Sequence, residues 1–332
     1  MRFPLSLYTS LTRSFIQNAR KGIKQFPLVL MLEPTHRCNL DCAGCDRIRL
    51  YHQKQTPDLT LEQCLAAVKE SGAPVITITG GEPMLYKDLK PLVAELIRMK
   101  KHIYVCSNGI LTESFIDDMK PSSRLTLNIH LDGLEETHDR IVNKPGTFQK
   151  AVASIKKAKK KGFRVSTNTS IFKNSDNHEL ESLFDFLKGL GVDGILLSPA
   201  FSYERVEDDI FLTREEAIQK FKSLNLKKYP LLSSPLYLDF LTGKRDLRCT
   251  PWGNPTRNPL GWKSPCYLIT DAYHPSYNDM MQQTDWDRYE AGRDPRCKDC
   301  MVHSGYEATV QRIAFSNPRD IMRLLLWNMS KS

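Results

Sequence analysis

Residues 27–45 read PLVLMLEPTHRCNLDCAGC. The first six, Pro27 to Leu32, form a continuous apolar run, the pattern of a strand covered on both faces. Three cysteines follow within eight residues, Cys38, Cys42 and Cys45, spaced C-x3-C-x2-C. Similar short runs recur downstream at Pro74–Thr79 (PVITIT), His102–Ser107 (HIYVCS), Leu125–Leu131, Phe163–Thr169 and Gly194–Ser198. Amphipathic helical patterns separate them at Leu61–Ser71, Asp88–Lys100, Phe148–Lys161 and Glu179–Leu190, with Gly162 and Gly191 as C-caps. Six strands joined by helices predict an α/β protein with a parallel sheet and right-handed crossovers. An open sheet and a barrel share this pattern. After about residue 200 the alternation stops, and 230–275, rich in Pro, Gly, Trp and Tyr, reads as a loop-like extension packed on the sheet.

Composition narrows the class. The chain has 332 residues, 41% of them hydrophobic, with 17 Gly and 19 Pro, which excludes disordered and fibrous proteins. No run of 18 apolar residues predicts a transmembrane helix. Nine cysteines are sparse and odd in number for a disulfide scaffold, so the expectation is a reducing, cytoplasmic setting. The 47 Lys+Arg against 38 Asp+Glu give +9, a charge that admits nucleic acid as a partner. No stripe interleaves those charges with aromatics, and runs such as Lys156–Lys161 sit on helix exteriors, so no nucleic-acid partner is expected.

The cysteines sort into groups. Three thiolates in one short loop can bind three irons of a cubane cluster and leave the fourth iron open to a small molecule. A zinc knuckle is the alternative, although zinc sites favour C-x2–4-C pairs with a distant second pair. Cys249, Cys266, Cys297 and Cys300 are compatible with a structural zinc, a second cluster or unligated thiols. Cys64 lies in a helical pattern and reads as core. Cys106 stands alone in the third strand, either as a small apolar core residue or as a hydrogen-atom donor.

Strand parity supplies further candidates. Leu125, Leu127, Ile129 and Leu131 share one face, so Thr126, Asn128, His130 and Asp132 share the other and should line a lumen. By the same rule Tyr104, Cys106 and Asn108 point inward from the third strand, and Ser166, Asn168 and Ser170 share a parity in the fifth.

The chain resembles the radical S-adenosylmethionine (SAM) superfamily. The resemblance rests on C38-NLD-C42-AG-C45 after the first strand, G80-G81-E82-P83 after the second and C106-S107-N108-G109 after the third, and covers residues 27–200. One departure is Gly44, where relatives usually carry a bulky apolar or aromatic residue. The resemblance implies a partial (β/α)6 barrel of TIM type with its site at the strand C-terminal ends. It implies a [4Fe-4S] cluster on Cys38, Cys42 and Cys45, with SAM cleaved by one electron to methionine and a 5′-deoxyadenosyl radical. It places Gly80 and Gly81 against SAM, Glu82 toward its amino group, and Asn108, Asn128, His130, Asn168 and Ser198 as candidate SAM contacts.

A closer resemblance is to the adenosylhopane synthases of hopanoid biosynthesis. It rests on P27-LVLMLEPTHRCNLDCAGC-D46, N128-IHLDGLEETHDR-I141, S198-PAFSYE-R205, and the run Y237-LDFLTGKRDLRCTPWGNPTRNPLGWKSPC-Y267. D285-W286 and C297-KDCMVHSGYEA-T309 extend it to roughly residues 25–310. A departure is Ser304, where relatives carry another cysteine. The family adds the deoxyadenosyl radical to the exocyclic double bond of diploptene, a triterpene, consuming SAM. That implies an electron donor such as flavodoxin or ferredoxin, and makes Cys106 the group that quenches the product radical. A radical SAM enzyme acting on a peptide or another small molecule is the alternative. The reading divides the chain into an amphipathic N-terminal helix (1–24), a core barrel (25–215) and a C-terminal extension (216–332). Leu5, Tyr8, Leu11, Phe15, Ala19 and Ile23 recur at helical spacing beside basic residues, and 319–331 joins basic residues to a Leu-Leu-Leu-Trp run. Such segments pack on a barrel or lie in a membrane interface, and the lipid substrate favours the inner face of the cytoplasmic membrane.

Overall fold

The structure is a computed structural model and describes residues 2–45, 50, 56–203, 206, 209–289 and 292–330. Asp46, Glu204, Arg205 and Lys331, which fall in the motifs quoted above, lie outside the described residues.

Six parallel strands carry the fold: β1 (Val29–Thr35), β2 (Val75–Gly80), β3 (His102–Ser107), β4 (Leu125–His130), β5 (Arg164–Ile171) and β6 (Gly194–Pro199). Helices Leu61–Ser71, Leu89–Arg98, Thr112–Asp118, Thr147–Lys160 and Asn177–Gly189 lie between them in the chain. The strand order β6-β5-β4-β3-β2-β1 continues through β7, β8 and β9, so β6 does not close onto β1. The architecture is a partial (β/α)6 barrel, as expected from the alternation.

Period-2 burial explains why these runs become strands. Leu30, Leu32, Ile76, Ile78, Ile103, Val105, Leu125, Leu127 and Ile129 belong to one core with Val68, Leu92, Val93, Ile155 and Leu183 from the helices. The opposite parity carries Thr77, Thr79, Cys106, Asn128 and Ser166. Local signals set the helix ends. Thr60 and Gln63 form a capping box at the start of Leu61–Ser71. Gly162 and Gly191, just past their helices, take the left-handed conformation that a C-cap needs.

The loop-like expectation for 230–275 needs correction. Pro235–Leu241 is a helix, and β7 (Thr256–Asn258), β8 (Gly261–Pro265) and β9 (Thr270–His274) extend the sheet. β7 runs parallel to β1, pairing Met31 with Thr256, and β8 and β9 add antiparallel. These strands are short and carry Thr, Arg, Asn and Lys, so no apolar alternation announces them. Their anchor is Trp262, 1% exposed, whose Nε1 donates to Glu70 at 3.0 Å.

The terminal helices are Leu5–Arg20 and Pro318–Met329. Leu7 and Leu11 pack with Phe26, Leu28 and Val75, near the start of β1 and β2. The helical stripe reads differently from the expected one: the helix ends at Arg20, and Ile23 lies beyond it and is exposed. Among the described residues no helix is long and apolar enough to cross a membrane.

Candidate active site

The site gathers at the C-terminal ends of β1 to β6. After β1 the chain turns into the loop bearing Cys38, Cys42 and Cys45. Two backbone bonds shape it: Ala43 N donates to Ile141 O at 2.9 Å, and Cys45 N donates to Cys42 O at 3.1 Å. Burial raises the Cys38 thiol to about 11, and the charges of Glu82 and Cys45 add to the rise. Burial also pushes Cys42 far above its ordinary value, helped by Cys45, Cys38 and Asp132. Cys38 and Cys42 therefore sit where thiolates are costly without a cation. Among the described residues no three His, Cys, Asp or Glu side chains converge on a single ion. Three cysteines in one short loop are a donor set that a cubane, whose irons each take one separate thiolate, could use.

The two glycines at the end of β2, Gly80 and Gly81, let the next loop lie on the cysteine loop. Gly81 N donates to Thr35 O at 3.0 Å and Glu82 N to Arg37 O at 2.7 Å. A Cβ at Gly81 would overlap the Arg37 carbonyl, and one at Gly80 would stand 2.5 Å from Thr35 O. Gly80 also has φ +118, which side chains rarely adopt.

Glu82 is 1% exposed and its carboxylate braces these loops. Oε1 accepts from Met84 N at 3.0 Å and from Ser107 Oγ at 2.8 Å; Oε2 accepts from Asn108 N at 2.8 Å. Burial raises its pKa, and those three bonds oppose the rise. Asn108 in turn donates through Nδ2 to Asn39 Oδ1 at 2.7 Å, reaching back to the cysteine loop. One carboxylate and one amide thus tie the ends of β1, β2 and β3 together.

The lumen face is layered by register. Cys106, Asn128 and Ser166 are neighbours across β3, β4 and β5. Asn128 Nδ2 lies 3.4 Å from Cys106 Sγ, and its Oδ1 accepts from Ser166 Oγ at 2.8 Å. One layer higher, His130 stands opposite Asn168, and Ser170 opposite Ser198. His130 Nε2 lies 2.7 Å from Asp132 Oδ2. Burial works against a charged imidazole here, but the Asp132 charge and hydrogen bond outweigh it and raise the His130 pKa. Ser170 N donates to Asp132 Oδ1 at 2.7 Å, and Asp132 N donates to His138 Nδ1 at 3.2 Å.

Parity thus brought Cys106, Asn128, His130 and Asn168 to one wall, and Ser198 to the end of β6. Three contributors escaped the candidate set: Asn39, Ser107 and Phe172. Ser107 sits on the parity that faces the helices, yet lies at the strand end where it reaches Glu82. Phe172, just past β5, leaves its Cε1 2.8 Å from where a Gly44 Cβ would stand. An aromatic ring from another element therefore occupies the space beside Gly44. Only a contact distant in sequence reveals it.

Three closely spaced thiols therefore stand at the C-terminal mouth of a partial barrel. Residues 32–187 match the family model of the radical SAM superfamily. Enzymes of this superfamily use a [4Fe-4S] cluster and SAM. Residues 195–324 match a model described as a domain of unknown function, DUF3463. A GTP 3′,8-cyclase of Clostridium botulinum (strain Okra / Type B1) is 27% identical over 227 residues, covering 66% of this chain and 71% of that one. One from Campylobacter jejuni subsp. doylei is 32% identical over 165 residues, 48% of this chain and 52% of its own length. Among solved structures, native anSMEcpe with bound AdoMet and Cp18Cys peptide aligns with TM-score 0.56 at 16% identity, over 91% of this chain and 99% of that one. Streptococcus suis SuiB bound to precursor peptide SuiA aligns with TM-score 0.53 at 19% identity, over 63% of this chain. The alignment spans 50% of the SuiB chain. At these identities the structures speak for the fold alone.

Proposed function

We propose that this radical SAM enzyme adds the 5′-deoxyadenosyl group of SAM to the exocyclic double bond of diploptene, giving adenosylhopane. The observation that carries the reading is the Cys106 thiol set in the lumen wall beside Asn128, 3.4 Å away. Addition of a carbon radical to an alkene forms one C–C bond and leaves a tertiary alkyl radical. The Cys106 S–H bond then breaks, a C–H bond forms, and a thiyl radical remains that one electron and one proton restore. A donor of the flavodoxin or ferredoxin class supplies that electron.

Cys38, Cys42 and Cys45 would hold the cluster, which with SAM bound supplies the radical at the 5′ carbon. The backbone of Gly80–Gly81 offers the close approach that a ligand needs, and Glu82 fixes that loop from behind. His130, Asn168 and Ser198 supply polar contacts along the wall, and Phe172 an apolar face beside Gly44. Exposed apolar side chains on the two terminal helices fit a bilayer surface from which such a substrate is drawn.

A second reading, action on a peptide or another small molecule, has its own support. The curated relatives named above are GTP 3′,8-cyclases, and they weigh toward this reading more than toward the triterpene. An anaerobic assay of reduced enzyme with SAM and diploptene separates the two. Adenosylhopane is expected, and Cys106→Ala should still release 5′-deoxyadenosine while its yield of cleanly reduced product falls at least tenfold. Release of 5′-deoxyadenosine by the native chain without adenosylhopane overturns the triterpene reading.

A further inference from the structure

The loop bearing Cys38, Cys42 and Cys45 meets solvent on one side, and that side is basic. Of the nine cysteines Cys38 alone is exposed. Cys249, Cys266, Cys297 and Cys300 of the extension turn instead into one pocket shared with Phe201, Ile269 and Tyr306. Arg37, next to Cys38, is exposed and donates to Asp58 Oδ2 at 2.6 Å and to Leu85 O at 2.7 Å. Lys144 Nζ donates to Asn39 O at 3.3 Å. One cation thus precedes Cys38 in the chain, and a second grips the residue after it.

Two more cations stand close by. Arg140 belongs to the helix Glu135–Ile141, whose last carbonyl, Ile141 O, accepts from Ala43 N of the cysteine loop at 2.9 Å. Lys87 lies two residues beyond Leu85, the carbonyl that Arg37 reaches. Lys87, Arg140 and Lys144 are exposed, and none pairs with a carboxylate among the described residues. Asp41 is an exposed acid within the loop, and Glu135 and Glu136 start the helix at its far end. Leu111 is 38% exposed, three residues on from Asn108, whose side chain bonds Asn39.

We propose that this basic rim, Arg37, Lys87, Arg140 and Lys144 around exposed Cys38, docks an acidic one-electron carrier protein. The inference rests on the reading that a carrier feeds electrons to a cluster on this loop, and not on the substrate that the radical then meets. One electron leaves the reduced carrier for the cluster, and no covalent bond forms or breaks at the rim. Electron transfer weakens steeply with distance, so a carrier must seat where the cover over the loop is thinnest. Exposed Cys38 marks that place. Electron-transfer pairs bury little area, and opposite charges speed their encounter. Four cations beside one exposed leucine suit such a short-lived partner. The apolar surface of the chain ends lies away from the rim, because Leu7 and Leu11 pack beside Leu28 and Val75 at the starts of β1 and β2. The rim stands at the other ends of those strands, where a carrier does not compete with a membrane contact.

The test uses the full chain reconstituted with iron and sulfide, with a flavodoxin as the probe. Calorimetry follows the binding of oxidised flavodoxin, which should weaken about tenfold or more between about 50 mM and about 300 mM salt. Lys87→Glu with Arg140→Glu should weaken binding about tenfold at the lower salt. The pair should raise by a like factor the reduced flavodoxin needed to half-saturate release of 5′-deoxyadenosine from SAM. The rate driven by photoreduced deazaflavin should stay native. Lys156→Glu with Lys160→Glu makes the same charge change on the exterior of the helix Thr147–Lys160 and should leave binding unchanged. No binding by the native chain at the lower salt, native binding by the rim pair, or equal weakening by the control pair overturns the proposal. A rim pair that also loses the deazaflavin-driven rate overturns it too, because these residues then shape the site instead of docking a carrier. Both readouts are taken without diploptene, so the triterpene reading can fail while this one stands.

Discussion

Glu307 is a partly buried residue that the active site does not use. Its Oε1 accepts from Ser234 N at 2.8 Å, and Tyr8 and Tyr237 both feel its charge. Burial raises its pKa to about 7, against the two hydrogen bonds from Ser234. The folded chain therefore holds this proton over a pH range in which the unfolded chain has released it. Stability from this group is fully present below the unfolded value near 4.5 and is lost as pH rises through about 7. The loss is at most about 3 kcal/mol. Glu307→Gln keeps an acceptor for Ser234 N and cannot ionise. Urea unfolding at pH 5 and pH 8 should show a fall in native stability that the variant largely lacks; equal falls in both would exclude Glu307 as the cause. Nothing in the sequence pattern around Glu307 marks it, because its burial depends on partners more than 60 residues away.

At the scale of elements, the sheet reaches past the barrel. β8 and β9 cover the flank of β7, and Trp262 fixes them through Glu70 and an edge-on contact with Tyr277 at 5.2 Å. Trp262→Ala should cost about 3–5 kcal/mol, the usual price of a large aromatic cavity. Because β7 pairs with β1, the loss should lower one shared urea transition rather than create a separate early one. A native-like midpoint, or an early transition confined to the extension, would contradict this linkage. The six barrel strands were legible because long apolar runs with turn glycines repeat. β7 to β9 were not, since three to five polar residues pair only when a neighbouring edge is already in place.

At the scale of the molecule, the two chain ends form one surface. Phe3 lies 5.8 Å from Trp327 and Phe15 lies 4.3 Å from Phe315, and Arg2 N donates to Asn328 O at 3.1 Å. Met322, Leu325, Leu326 and Met329 remain exposed on it, within a chain of net charge +9. The proposed membrane contact belongs to this surface. Leu325→Asp with Leu326→Asp should abolish co-sedimentation with anionic vesicles while changing stability by less than about 1 kcal/mol, because both side chains are exposed. Equal sedimentation of variant and native chain would remove this surface from membrane binding.

The sequence by itself determined the strand–helix alternation, the three closely spaced cysteines after β1 and the two glycines at the end of β2. Each is written in adjacent residues, as period-2 burial, ligand spacing or a steric need for no side chain. It also determined which strand residues face inward, because parity is a local property. Only the tertiary structure decided that Glu82 braces three loops, that Phe172 fills the space above Gly44, and that four scattered cysteines meet in one pocket. Those outcomes depend on segments tens to hundreds of residues apart arriving at one place. Chain packing sets that, and no short-range pattern encodes it.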